Sequence, residues 1–224
     1  LCRRAHDRLV QTVVELCQQR LPDNMGIPAD QIQVLSPTRK GVCGTVNLNR
    51  ALQAALNPPA AGKHQKPWGD MVFREGDRVM QTRNNYDVIW EKDGGSMGAG
   101  IFNGDVGVIR EIDPSGELIT IQFDDRTCVY TADLLNQLDM AYAMTVHKAQ
   151  GSEYRCVVLV SAAVAPALMV RGVLYTAITR ARELLVLVGD DVAPGQMAAN
   201  DRQQRRYSGL RRRLREEAMS HGLQ

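Results

Sequence analysis

A chain of 224 residues is long enough to bury a full core, and it fits one large domain or one domain carrying a smaller insertion. With 44% hydrophobic and 23% charged residues it reads as a soluble globular protein; its five cysteines (Cys2, Cys17, Cys43, Cys128, Cys156) form no C-x-x-C pair, so neither a disulfide framework nor a zinc site is expected, and a reducing, cytoplasmic setting follows. The net charge of +2 conceals a local excess: seven arginines and two glutamates lie between Arg202 and Glu217, leaving 20 basic and 23 acidic residues elsewhere, so one tail either grips phosphates or forms a solvated helix face.

In chain order, Leu9, Val13, Leu16 and Cys17 fall at helical spacing within Arg3–Arg20, and "LPDNMGIP" then supplies the Pro and Gly expected to end that helix. "IQVLSPT" reads as a short buried strand, and "GTVNLNRALQAALNP" as a helix stopped by Pro58 and Pro59. "AAGKHQKPWGD" and the glycine-rich "KDGGSMGAG" read as loops. From Met71 the texture changes to short alternating runs separated by Gly, Asp and Pro, the pattern of a small β-barrel or meander. After about Leu138 the α/β texture returns, with strand "CVVLVS", a helix around "VLYTAITRA" and strand "LLVLVG", apolar on both faces as in a covered parallel sheet. "CVVLVSAAVAPALMV" is interrupted by proline and "LLVLVG" is too short to cross a bilayer; no signal peptide opens the chain, and no membrane partner is expected. The start at Leu1 rather than at a methionine points to a fragment or a processed piece.

The polar clusters "LSPTRKG", "TVHKAQGSEY" and "YTAITRARE" all adjoin these strands, and in parallel α/β sheets ligands gather outside the carboxyl ends of strands. Singly each has an ordinary structural explanation: Arg180 and Arg182 as surface residues of a helix, His147 as a satisfied loop histidine, Glu153 as a helix cap or a partner of Arg155. Their order is more specific. "SPTRKGVCGTVNLNRALQAALNP" (36–58), "GDRVM" (76–80), "NGDVG" (103–107), "TVHKAQGSE" (145–153) and "YTAITRA" (175–181) together resemble the carboxyl-terminal motor domain of superfamily 1 DNA helicases, in the RecD-like branch that includes the exodeoxyribonuclease V α-chain family.

The resemblance covers most of residues 30–190. It implies an α/β fold: a RecA-like, P-loop NTPase-type second motor domain, with parallel sheet and flanking helices, interrupted by a small SH3-like β-barrel. On that division residues 1–83 are the first part of the RecA-like domain, 84–137 the inserted barrel, 138–192 the remainder and 193–224 a basic tail. It also implies residue roles. Arg180 is the candidate arginine finger, since a guanidinium stays charged and forks onto phosphate oxygens; Arg39 is a second phosphate-sensing candidate, with Lys40 competing for that role. Gln150, Gly151 and Glu153 would face nucleotide, Gly151 permitting close backbone approach and Glu153 accepting from a ribose hydroxyl. Thr145, His147 and Lys148 would contact the DNA backbone. Arg180, Arg39 and Glu153 are expected in one cleft. Trp90, Tyr86 and Phe102 are open to stacking on bases but read better as barrel core.

No G-x-x-x-x-G-K-[ST] occurs, and no strand ends in the Asp-Glu pair that would hold magnesium. ATP and Mg2+ would be held mainly by an upstream RecA-like domain of the same polypeptide, and no metal site is expected in this chain. The expected function is therefore half of an ATP-dependent helicase that translocates on single-stranded DNA, 5′ to 3′, in repair and recombination, inactive alone. Subunits of a nuclease complex are further partners in one branch of the family. The alternatives are a stand-alone nucleic-acid-binding module and the helicase region of a conjugative relaxase.

Overall fold

The computed structural model describes residues 6–162, 165–202 and 209–220; Cys2 and the tail arginines Arg205 and Arg206 lie outside them. Helix α1 (His6–Glu15) runs through a π-helical turn, Leu16–Arg20, into α2 (Leu21–Met25). The helix thus ends within the expected stretch, at its glycine rather than at its first proline. Pro22 follows directly on the π-helical turn, where Leu21 N–H reaches back to Leu16 O, and the helix continues through it; Gly26 ends it, at φ 62°.

There follow β1 (Ile32–Ser36), α3 (Thr45–Leu56), β2 (Gln65–Trp68), β3 (Met71–Arg74), β4 (Arg78–Gln81), β5 (Asn85–Lys92), β6 (Met97–Ile101) and β7 (Val106–Ile112). Next come β8 (Leu118–Phe123), β9 (Arg126–Thr131), β10 (Leu138–Met140), β11 (Ala143–Thr145), β12 (Tyr154–Ser161), α4 (Arg171–Ile178), β13 (Ala181–Gly189), α5 (Val192–Ala199) and α6 (Leu210–Ser220). Two segments expected as loops are partly strands. Gln65–Trp68 pairs antiparallel with Met71–Arg74 around Gly69, which turns at φ 56°, and Met97–Ile101 pairs with β5.

Strands β11, β1, β12 and β13 form, in that order, a four-stranded sheet whose pairs are all parallel. Alternation along its central strands feeds two cores. Val34, Cys156, Val158 and Val160 pack with Val13, Leu48 and Leu52 of α1 and α3, while Leu35, Val157 and Leu159 pack with Val173, Leu174, Ala177 and Met197 of α4 and α5. This is the expected helix-covered α/β sheet. A seven-stranded antiparallel sheet, β10-β4-β7-β8-β9-β5-β6, forms the inserted unit, its core supplied by Ile109, Ile119, Ile121, Phe123 and Tyr130. That sheet takes in β4 and β10, on either side of the expected 84–137 span, because these strands pair with each other.

Of the aromatic residues expected in the barrel core, Tyr86 (67% exposed) and Phe102 (41%) are instead surface residues that meet edge-to-face at 5.7 Å. Trp90 is half-buried, its ring filling the space beside Gly98, where a Cβ would come within 2.3 Å of it. The four described cysteines are all free and buried. Burial pushes the Cys17 and Cys128 thiols up to about 12, so neither is a nucleophile.

The two sheets are joined by adjacent residues with opposite tasks. Asp77 is inaccessible to solvent, and its carboxylate accepts from Asn57 Nδ2 (2.6 Å), the Arg74 backbone N–H (2.8 Å), the Tyr142 hydroxyl (2.9 Å) and Gln53 Nε2. Burial raises its pKa above the ordinary carboxylate value, with the hydrogen bonds acting in the opposite direction. Arg78 turns the other way and donates to Ile32 O (3.1 Å) and Gln33 Oε1 (3.0 Å) of β1; burial lowers its pKa. Removing Asp77 leaves the Arg74 N–H and the Tyr142 hydroxyl without an acceptor in a buried site and takes one acceptor each from Gln53 and Asn57, which keep Val72 O and Glu75 O, so Asp77→Ala is expected to cost about 3–5 kcal/mol of stability, read from urea unfolding. A loss below about 1 kcal/mol would mean that water or a neighbour replaces it.

Candidate functional site

Parallel pairing fixes which end of the sheet each polar segment occupies. Ser36 and Thr145, the last residues of β1 and β11, lie opposite each other at the carboxyl end. Tyr154 and Ala181, the first residues of β12 and β13, lie opposite each other at the amino end. Ile32 is level with Cys156, so the two ends are separated by at least four strand residues, about 13 Å. The segment from Thr145 to Tyr154 therefore runs from one end of the sheet to the other.

Its first half is wound tightly. The backbone N–H groups of Lys148 and Ala149 donate to Thr145 O (3.0 and 3.2 Å), and Lys148 N–H also reaches Thr145 Oγ1 (3.4 Å). His147 is exposed and its ring makes no hydrogen bond among the described residues, while Lys148 Nζ lies 3.0 Å from Asp139 Oδ2. Arg39 belongs to this end. It follows β1, and its Nη2 lies 3.5 Å from the other oxygen of the same carboxylate, Asp139 Oδ1. Lys40 is exposed beside it.

The loop bearing Arg39 is held by backbone and side-chain contacts: Thr45 N–H donates to Thr38 O (3.1 Å), Val46 N–H to Arg39 O (3.2 Å) and the Ser36 hydroxyl to Cys43 O (2.9 Å), folding the loop onto the start of α3. This close return requires Gly44, since a Cβ there would lie 2.5 Å from the carbonyl oxygens of both Arg39 and Lys40.

The second half of the segment meets Arg180. Gln150 is exposed, Gly151 turns the chain at φ 88°, and Ser152 O accepts from Arg180 Nη1 (2.9 Å). Arg180 Nε also donates to Thr176 O (3.1 Å), its Nη2 to Thr179 Oγ1 (3.0 Å), and its backbone O accepts from Tyr154 N–H (2.8 Å). All its acceptors are neutral, so among the described residues no carboxylate offsets its charge. Glu153 pairs with Arg182 (3.0 Å), not with Arg155, which takes Glu183 (2.7 Å). The structure thus brings Arg180, Gly151 and Glu153 together and sets Arg39 at the opposite end of the sheet, contrary to the expectation of one cleft. The reason is topological: Arg39 follows a strand and Arg180 precedes one running parallel to it.

At the carboxyl end a groove of about 650 Å³ opens between α3, the β2–β3 hairpin and the start of the Thr145–Tyr154 segment; Arg39, Arg50, Trp68, Asp139, Thr145 and Lys148 are among its lining residues. Sequence reasoning passed over three of these. Arg50 lies on the exposed face of a helix read for its apolar positions, Trp68 in a segment read as loop, and Asp139 at a boundary residue of the insertion. The tryptophan was the signal available, because a large aromatic residue seldom sits in a featureless loop. Among the described residues no group of three or more His, Cys, Asp or Glu is placed to hold a metal ion, and no helix is long and apolar enough to cross a membrane.

Residues 48–123 match the family described as "ATP-dependent RecD-like DNA helicase SH3 domain", and residues 140–188 match "UvrD-like helicase C-terminal domain". The chain is 35% identical to the ATP-dependent RecD2 DNA helicase of Deinococcus radiodurans over 82% of its own length and 23% of that protein's. It is 31% identical to the RecBCD enzyme subunit RecD of Mycobacterium tuberculosis over 83% of its length and 29% of that subunit's. The chain therefore spans about a quarter of the length of these curated relatives. A crystal structure of Bacteroides Pif1 bound to single-stranded DNA aligns with 97% of this chain and 51% of its own, at 14% identity and a TM-score of 0.49.

The close return at Gly44 is testable by itself. Gly44→Ala forces the Arg39 loop off α3 and is expected to cost about 1–3 kcal/mol in urea unfolding. An alanine variant as stable as the wild type would show that the loop has room to give.

Proposed function

We propose, from the premise that this chain joins a RecD-like helicase SH3 domain to a UvrD-like helicase C-terminal domain, that it is the second motor domain and barrel insertion of an ATP-dependent DNA helicase. The observation that carries this reading is the course of Thr145–Tyr154, which links a groove bearing cations at one end of the sheet to an arginine of uncompensated charge at the other. One continuous segment then faces two ligands. Thr145, His147 and Lys148 offer a hydroxyl, an imidazole and an ammonium to the backbone of single-stranded DNA. Gln150, Gly151 and Glu153 lie at the nucleotide side, and a shift at either ligand is carried along the same ten residues.

Arg180 is the phosphate-facing residue in this reading. Its three donors rest on neutral oxygens of Ser152, Thr176 and Thr179, a resting arrangement that keeps the guanidinium positioned without neutralising it. An incoming anion would find a full positive charge at low reorganisation cost. Arg39 is reassigned from the nucleotide to the strand, because it shares Asp139 with Lys148. ATP with its magnesium would supply the phosphoryl group whose charge Arg180 meets, and the upstream RecA-like domain of the same polypeptide would hold both. Translocation 5′ to 3′, a role in repair and recombination, and assembly with nuclease-complex subunits extend this reading from the family resemblance of the motifs; of these, the relatives' names carry only membership of a multi-subunit enzyme, as RecD of the RecBCD enzyme. The division at the barrel is retained, with the insertion widened to include β4 and β10.

Two outcomes test it. Residues 1–224 alone are expected to show no ATPase above background with or without single-stranded DNA, measured by phosphate release, and clear DNA-stimulated turnover would overturn the half-motor reading. In the longer polypeptide, Arg180→Ala is expected to lower turnover by about a thousandfold or more while strand affinity stays within about threefold. Steady-state turnover retained in that variant would remove Arg180 from the role.

A further inference from the structure

Asp139 stands out because a single carboxylate faces two cations from different elements. Its Oδ2 lies 3.0 Å from Lys148 Nζ and its Oδ1 3.5 Å from Arg39 Nη2, so each oxygen takes one cation, as the two non-bridging oxygens of a phosphodiester would. The carboxylate is mostly covered (24% exposed), whereas the Arg39 side chain is 64% exposed and the Lys148 side chain 35%. All three line the groove at the carboxyl end of the sheet. Arg50 lines it too and makes no hydrogen bond or ion pair among the described residues, while Trp68 presents an aromatic wall. The charge of Arg74, which also lines the groove, is turned to Asn57 O and Gln65 Oε1.

Resting on the reading that this end of the sheet carries the strand, we infer that Asp139 is an internal stand-in for a strand phosphate: it holds Arg39 and Lys148 in binding geometry and is displaced when a phosphodiester enters the groove. The Arg39 side chain reaches solvent and salt and lies 3.5 Å from the carboxylate, and Lys148 is partly exposed, so exchanging this carboxylate for a phosphate is a readily reversible step. The exchange limits affinity, which suits a surface that must release each nucleotide as it advances. It also has a structural reach. Asp139 lies on β10, whose backbone pairs with Met80 of β4, so a shift of this residue is felt at the strand where the barrel begins. Trp68 and the free Arg50 would take the adjoining base and phosphate.

The test uses the whole 224-residue chain and fluorescence anisotropy of a labelled single-stranded oligothymidylate over a salt series. Asp139→Asn is expected to bind about three- to tenfold tighter at low salt, with a salt dependence steeper by about 0.7 in slope, because Arg39 and Lys148 no longer have to give up a carboxylate to meet a phosphate. Asp70→Asn removes a carboxylate from the same groove that holds no cation, and it should change affinity less than about twofold. Unchanged or weaker binding by Asp139→Asn, or an equal gain from Asp70→Asn, overturns the inference. If Asp139→Asn melts well below the wild type, Asp139→Ser is read by the same criteria. Arg39→Ala and Lys148→Ala separate the two levels: if neither weakens binding, the strand reading itself fails, whereas weakening by both without a gain from Asp139→Asn defeats only the stand-in.

Discussion

Everything in the arrangement of this protein depends on how one buried carboxylate is satisfied. Asp77 sits in a dry site where an isolated charge would be untenable, and it is tolerated because α3, β3 and the approach to β11 each deliver donors to it. Three of those donors come from residues 20 to 65 positions away in sequence, so satisfying the carboxylate fixes the helix, the hairpin and the sheet edge with respect to one another. Arg78, its neighbour, extends the constraint by bonding β1 directly, and Gln33 completes the circuit through the carbonyls of Ala141 and Tyr142. Asn49 adds a reciprocal pair with Ala143. The passage from antiparallel to parallel sheet is therefore held by side chains rather than by continuous strand pairing.

That rigidity gives the Thr145–Tyr154 segment its meaning. Both its ends are anchored to strands of one sheet, and between them lie a tight turn, exposed polar side chains and a glycine with left-handed backbone. Anchored at both ends and packed through the buried Val146 and Ala149, the segment spans two surfaces that no single side chain could bridge. The separation of Arg39 from Arg180 sharpens this picture, since each surface now has its own arginine.

Much of this was legible in the sequence. Apolar runs predicted three of the four parallel strands, the three-residue β11 being too short to stand out, and five ordered motifs predicted the domain and its interruption. The sheet ends were legible too: a residue that follows a strand and one that precedes a parallel strand must lie at opposite ends, which alone separates Arg39 from Arg180. The hairpin of β2 and β3 was hidden by Pro67, Gly69 and charged neighbours, which resemble loop composition but here occupy an edge and a turn. Strand β6 was hidden by glycines, one of which is required by the ring of Trp90 rather than by a turn. Asp139 could not be foreseen, because its two partners come from a separate strand end and a separate turn, and only the folded chain brings them to one carboxylate.

The pairing of β4 with β10 bears on how such a protein came to exist. Gln81 lies opposite Leu138 and Val79 opposite Met140, so the chain leaves the parent domain and returns to it at neighbouring points. To the parent, the intervening residues count as little more than a hairpin, and the loop-closure entropy of the insertion is met within its own sheet. An ancestral domain could acquire, lose or exchange the barrel by changes confined to one gap, with its folding nucleus left alone.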